Sequence, residues 1–131
     1  MDAYLSREAY QTFEALSLIS PSSNSEGLLI GHKRGHRYFV ENVFPSQRSA
    51  IHSPQKYFDL NQLFDGKLIG FFSFKPDEKR IKKILAPFAF GKLYLKVYFT
   101  SRKEITIKSF IIDYDDKFFL SPIRLKDYKK E

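Results

Sequence analysis

The sequence predicts a mixed α/β fold of α+β character, with a central sheet accompanied by helices. Three observations lead there. Apolar residues recur at helical spacing near the N-terminus. They alternate with period two in the last third, and turn residues cut the short apolar runs in between. At 131 residues the chain suits one domain, 1–131, with residues 1–4 and 126–131 expected to fray. Its 43% hydrophobic and 28% charged residues describe a folded protein rather than a disordered one.

The first element reads as an amphipathic helix. Ser6 is a candidate N-cap, Glu8 suits the first turn, and Ala9, Phe13 and Leu16 share a face. The run Ser20-Pro21-Ser22-Ser23-Asn24-Ser25 ends it. Gly27-Leu28-Leu29-Ile30-Gly31 then reads as a buried strand, Lys33-Arg34-Gly35-His36 as a hairpin turn, and Arg37 to Phe44 as the returning strand, closed by Pro45. Residues 45–66 read as loop with a short helical turn near Asp59–Phe64. Leu68 to Phe74 is the next strand, stopped by Pro76.

Asp77 is placed to cap a short helix with Ile81, Ile84 and Leu85 on one face, ended by Pro87 and Gly91. In the following strand Leu93, Leu95, Val97 and Phe99 form one face, and Tyr94, Lys96 and Tyr98 the other. Ser101-Arg102-Lys103 turns into a strand from Ile105 through Ile112. Asp115-Asp116 turns into the last strand, Lys117–Ile123.

Composition narrows the chemistry. With no cysteine there is no disulfide framework, no thiol nucleophile and no cysteine-ligated zinc. His32, His36 and His52 are the only histidines. The N-terminal residues lack the basic and apolar regions of a leader peptide, and the longest apolar runs are too short to cross a bilayer. These features predict a cytoplasmic protein without a membrane partner.

Gly27–Gly31, the hairpin and the run Val40 to Pro45 resemble the opening of the JAMM/MPN family, also called Jab-type domains. Gly70-Phe71-Phe72-Ser73-Phe74-Lys75-Pro76 is similar to that family's Gly-Trp-Tyr-His-Ser-His-Pro, with glycine, two aromatics and proline in register. Leu68-Ile69 matches the apolar pair before it. The resemblance spans roughly residues 5–123. It implies an MPN/cytidine-deaminase-like arrangement, a mixed sheet flanked by helices.

Active members hold zinc with two histidines and an aspartate, leaving the fourth position for water. A glutamate on the early strand acts as general acid and base. By the resemblance, the glutamate position is Asn24, the two histidine positions are Ser73 and Lys75, and the serine and aspartate positions are Lys83 and Ala86. None can serve. Glu26 lies two residues from the glutamate position, a displacement of roughly 6–7 Å along a strand. The lysine at 75 brings a positive charge where the metal would need a lone pair. The resemblance therefore implies a protein without a zinc cofactor, catalytic residues or metal ligands.

Other constellations are weaker. His32 and His36 bracket a turn, so their spacing of four is not a helical metal pair. Asp77-Glu78 and Asp113-x-Asp115-Asp116 read as a helix start and a turn. Gly31-x3-Gly35 leads into a strand and lacks the helix N-terminus of a phosphate loop. Basic residues crowd two places: Lys79, Arg80, Lys82 and Lys83 on the short helix, and Lys92 and Lys96, interleaved with Tyr94 and Tyr98, on a strand.

The expected function is a pseudoenzyme that acts through protein contacts, as a scaffold paired with another MPN-type domain or with its own copy. Its contact surfaces are expected on the first helix and the exposed strand edges. Two alternatives are a nucleic-acid-binding module built on those lysines and tyrosines, and a hydrolase using Ser73 with Lys75, two apart on one strand face.

Overall fold

The computed structural model describes residues 1–19, 26–46, 54–99 and 104–127. Its elements are β1 (Asp2–Leu5), α1 (Arg7–Ile19), β2 (Glu26–Arg34), β3 (Arg37–Ser46), α2 (Pro54–Leu63), β4 (Leu68–Phe74), α3 (Glu78–Ile84), a 3-10 turn (Pro87–Ala89), β5 (Leu93–Phe99), β6 (Ile105–Asp115), β7 (Lys117–Pro122) and β8 (Arg124–Asp127). The eight strands form one sheet in the order β7-β6-β5-β4-β2-β3-β1-β8. Neighbours are antiparallel except β4–β5, β1–β3 and β1–β8, which are parallel. This is a mixed α+β fold, rich in strand.

The sheet curls almost into a barrel. β7 pairs with β6, and the Ile123 amide adds one more bond to the Ser109 carbonyl at 3.1 Å. The Ser109 hydroxyl returns a bond to the Ile123 carbonyl at 2.8 Å. Immediately afterwards β8 leaves β6 and joins β1 at the opposite end of the sheet. One nearly continuous segment thus bridges both ends.

Side-chain alternation gives each face its own core. Leu93, Leu95 and Val97 point with Leu29, Val40, Phe72 and Phe74 to the concave side, and Ile107, Ile123 and Leu125 from the two ends of the sheet pack against the same cluster. Helix α1 packs against this side. The Ala9 amide donates to the Ser6 hydroxyl at 3.0 Å, the expected cap. Phe13, fully buried, meets Phe72 and Phe74 edge-on at 5.0 and 6.2 Å. On the convex side Leu28, Phe71, Tyr94 and Ile112 are covered by Tyr57 of α2, Ile84 of α3 and Ala89.

Several expectations change. Residues 2–4 do not fray: they are buried or half-buried in β1, between β3 and β8. Lys126 and Asp127 likewise belong to β8, because β1 offers them a backbone ladder. Helix α2 is longer than the expected turn; Pro54 opens it at a position where its missing N–H costs nothing. The turn at 101–103 lies outside the described residues. Gly70 is tightly confined, since a Cβ there would run into the Leu93 carbonyl oxygen.

Candidate functional site

Strands β2 and β4, which carry the runs Gly27–Gly31 and Gly70–Phe74, lie side by side. Their register sets Glu26 opposite Ser73, with Leu28 opposite Phe71. The ladders then continue Ser73 to Lys96 on β5 and Lys96 to Lys108 on β6. Glu26, Ser73, Lys96 and Lys108 therefore form a polar row across four strands on the convex face. Beside it runs an aromatic and apolar row, Leu28, Phe71, Tyr94 and Phe110. Glu26 and Ser73 are buried, at 6% and 2% exposure.

Lys96 leans away from Ser73, its amine 4.6 Å from the centre of the Phe110 ring. Burial holds its pKa below the ordinary lysine value, and the Lys108 charge adds to the effect. The row is thus acidic at one end and basic at the other, with a hydroxyl between.

Lys75 does not join it. The residue follows the end of β4 with φ +44, a left-handed backbone that is uncommon for a side chain of this kind. Its amide donates to the Val97 carbonyl at 3.0 Å. Its amine sits 4.3 Å from the Phe99 ring centre, and Phe99 packs against Phe74 on the concave side. The expected Ser73–Lys75 pair is therefore not assembled. Alternation along a strand assumed extended backbone, which ends at Phe74.

Asn24 lies outside the described residues. The donors at 73 and 75 do not fit a zinc ion: one is a buried hydroxyl, the other an ammonium directed to the opposite face. No group of three or more His, Asp or Glu side chains is placed to hold a metal among the described residues. His32 instead donates through Nδ1 to the Glu41 carboxylate at 2.7 Å and stacks on Phe39.

The basic residues divide. Lys79, Lys82 and Lys83 are exposed on α3, which also carries Arg80. Lys92 is drawn into the convex core, its amine 3.4 Å from the Leu68 carbonyl and 5.7 Å from the Tyr57 ring centre. Tyr94 is wholly buried, so it offers no stacking surface. Tyr98 and Phe110 already have lysine amines over their rings, from Lys108 and Lys96.

Sequence reasoning passed over Glu26 as a site residue and left Lys108 unconnected to Lys96. The alternation of Glu26 with Leu28 was a usable signal for the first. The second needed the β5–β6 register, which no local pattern encodes.

No helix among the described residues is long and apolar enough to cross a membrane. No family model matches the chain, and no curated protein matches it. Its fold is similar to the solution structure of protein DSY2949 from Desulfitobacterium hafniense, with a TM-score of 0.66, 20% identity, and coverage of 97% of this chain and 94% of that one.

Proposed function

We propose that the chain is a non-catalytic, MPN-like module that acts through protein contacts. One observation carries the reading. The strand bearing Gly27–Gly31 lies against the strand bearing Gly70–Phe74, as a glutamate strand and a ligand strand would have to. Yet the ligand positions hold Ser73, buried, and Lys75, turned toward Phe99. On this reading the chain keeps a framework of that kind and has lost the donors at 73 and 75.

The alternatives draw less support. A serine nucleophile needs a base beside it and access to substrate; Ser73 is closed off and Lys75 is directed elsewhere. A nucleic-acid surface needs open aromatic faces, and those of this strand are buried or already covered by lysine.

The test is metal analysis of purified protein after incubation with zinc, joined to an isopeptide-cleavage assay. Substoichiometric zinc and no cleavage are expected. Stoichiometric zinc with cleavage would refute the reading.

A further inference from the structure

Among the described residues the curled sheet closes at one end of its seam and not at the other. β6 pairs with β7 from Phe110 onward, and the Ile123–Ser109 bond is the last link. Toward the start of β6 no strand pairs with its outer edge among the described residues, and β8 pairs only with β1. Ser109 presents its carbonyl to the seam, so by antiparallel alternation Ile107 and Ile105 present their N–H and C=O groups to the same side.

A cleft of about 440 Å³ opens at this place. Leu5, Ile105, Ile107 and Leu125 give it apolar walls, and Arg7 and Lys126 are the charged lining residues among the described ones. Tyr10, also on the lining, is 40% exposed. Lys126 is shared with Asp2 at 3.4 Å, whereas Arg7 has no ion pair among the described residues. Open strand edges are normally blocked by proline, bulges or inward charge; the half-buried Ile105 and Ile107, with exposed Thr106 between them, have none of these.

We propose that the seam receives an extended, acidic segment of a partner protein, added as a strand to the outer edge of β6. Backbone bonds to Ile105 and Ile107 supply the pairing, an apolar side chain fills the cleft, and a carboxylate meets Arg7. A second copy of this chain is a poor occupant, since each copy carries a formal charge of +7. The proposal deepens the contact-module reading and rests on it.

The probe is a capped peptide alternating valine with glutamate, titrated into the full chain and followed by amide NMR shifts. Saturable shifts centred on Ile105, Ile107 and Leu125 are expected. A valine–lysine peptide, and a valine–glutamate peptide N-methylated at alternate residues, should fail to bind. Arg7→Glu, on an exposed first helical turn, should weaken binding roughly tenfold. No binding, shifts elsewhere, or equal binding of the lysine or N-methylated peptide would overturn the proposal. Zinc binding with cleavage would refute the underlying reading, whereas a metal-free, inert chain that ignores the peptide would sink the seam alone.

Discussion

Glu26 stands directly across the β2–β4 ladder from Ser73, and both are buried. Facing residues on adjacent strands bring their Cβ atoms to about 5 Å, so the two side chains share one small environment. A double-mutant cycle of Glu26→Gln and Ser73→Ala should show a coupling of about 0.5–3 kcal/mol in urea denaturation. Strict additivity would mean that the carboxylate and hydroxyl do not sense each other.

Placing histidines at positions 73 and 75 should not create a metal site. In the variant Ser73→His, Lys75→His the second imidazole inherits the left-handed backbone and projects toward Phe99, on the other side of the sheet. Calorimetric titration with zinc should match the unmodified protein. Zinc carried through desalting at one per chain would contradict the described geometry at position 75.

Phe13 joins α1 to the concave core through two edge-on ring contacts. Phe13→Ala should destabilise the fold by about 3–5 kcal/mol, because the packed rings of Phe72 and Phe74 cannot collapse into the space. Thermal or urea unfolding measures this, and a loss below about 1 kcal/mol would place α1 outside the core.

Gly70 has no room for a side chain against Leu93. Gly70→Ala should cost about 1–3 kcal/mol as β4 and β5 are forced apart. Gly66→Ala gives the contrast: nothing lies near its Cβ, but its φ of +74 adds backbone strain. Both variants should lose stability, and only Gly70→Ala should shift amide resonances of β5. Unchanged β5 resonances would argue against the close approach.

Lys96 makes stability depend on pH at alkaline values. Its pKa is lowered in the folded state, by burial first and Lys108 second. The unfolded chain therefore holds more protons between the lowered and the ordinary value, and stability contributed by this group rises with pH across that window. Below the window the full cost of burying the charge remains. Lys96→Met should flatten this rise and stabilise the protein at neutral pH; an unaltered pH profile in the variant would contradict the shift.

Much of the fold is legible in the sequence. The period of Leu93–Phe99 and the apolar run Leu68–Phe74 mark strands whose bounds match the structure, and Ser6 signals its cap. What stays hidden depends on partners far along the chain. Asp2–Leu5 carries no strand pattern of its own and becomes one because β3 and β8 lie on either side. Charged Arg124–Asp127 resembles a solvated tail until β1 offers it a ladder.

The site is legible to a smaller degree. The family resemblance singles out Ser73 and Lys75 and the strand alternation Lys96, but register decides which of them align. Lys96 aligns with Ser73 through the parallel β4–β5 ladder. Lys75 drops out because one residue of left-handed backbone reverses its direction, and no strand-period argument contains that reversal.

The place of β1 between β3 and β8 also orders events during synthesis. β1 is made before any other strand of the sheet, and β8 after all of them. While the ribosome is still adding residues, β1 can dock on β3 but keeps one edge bare until Arg124–Asp127 emerges. Such long-range pairing is slow and leaves an open edge available to neighbouring nascent chains. Chains whose synthesis stops before Arg124 should therefore aggregate more readily than chains that include β8, and should be retained longer by chaperones.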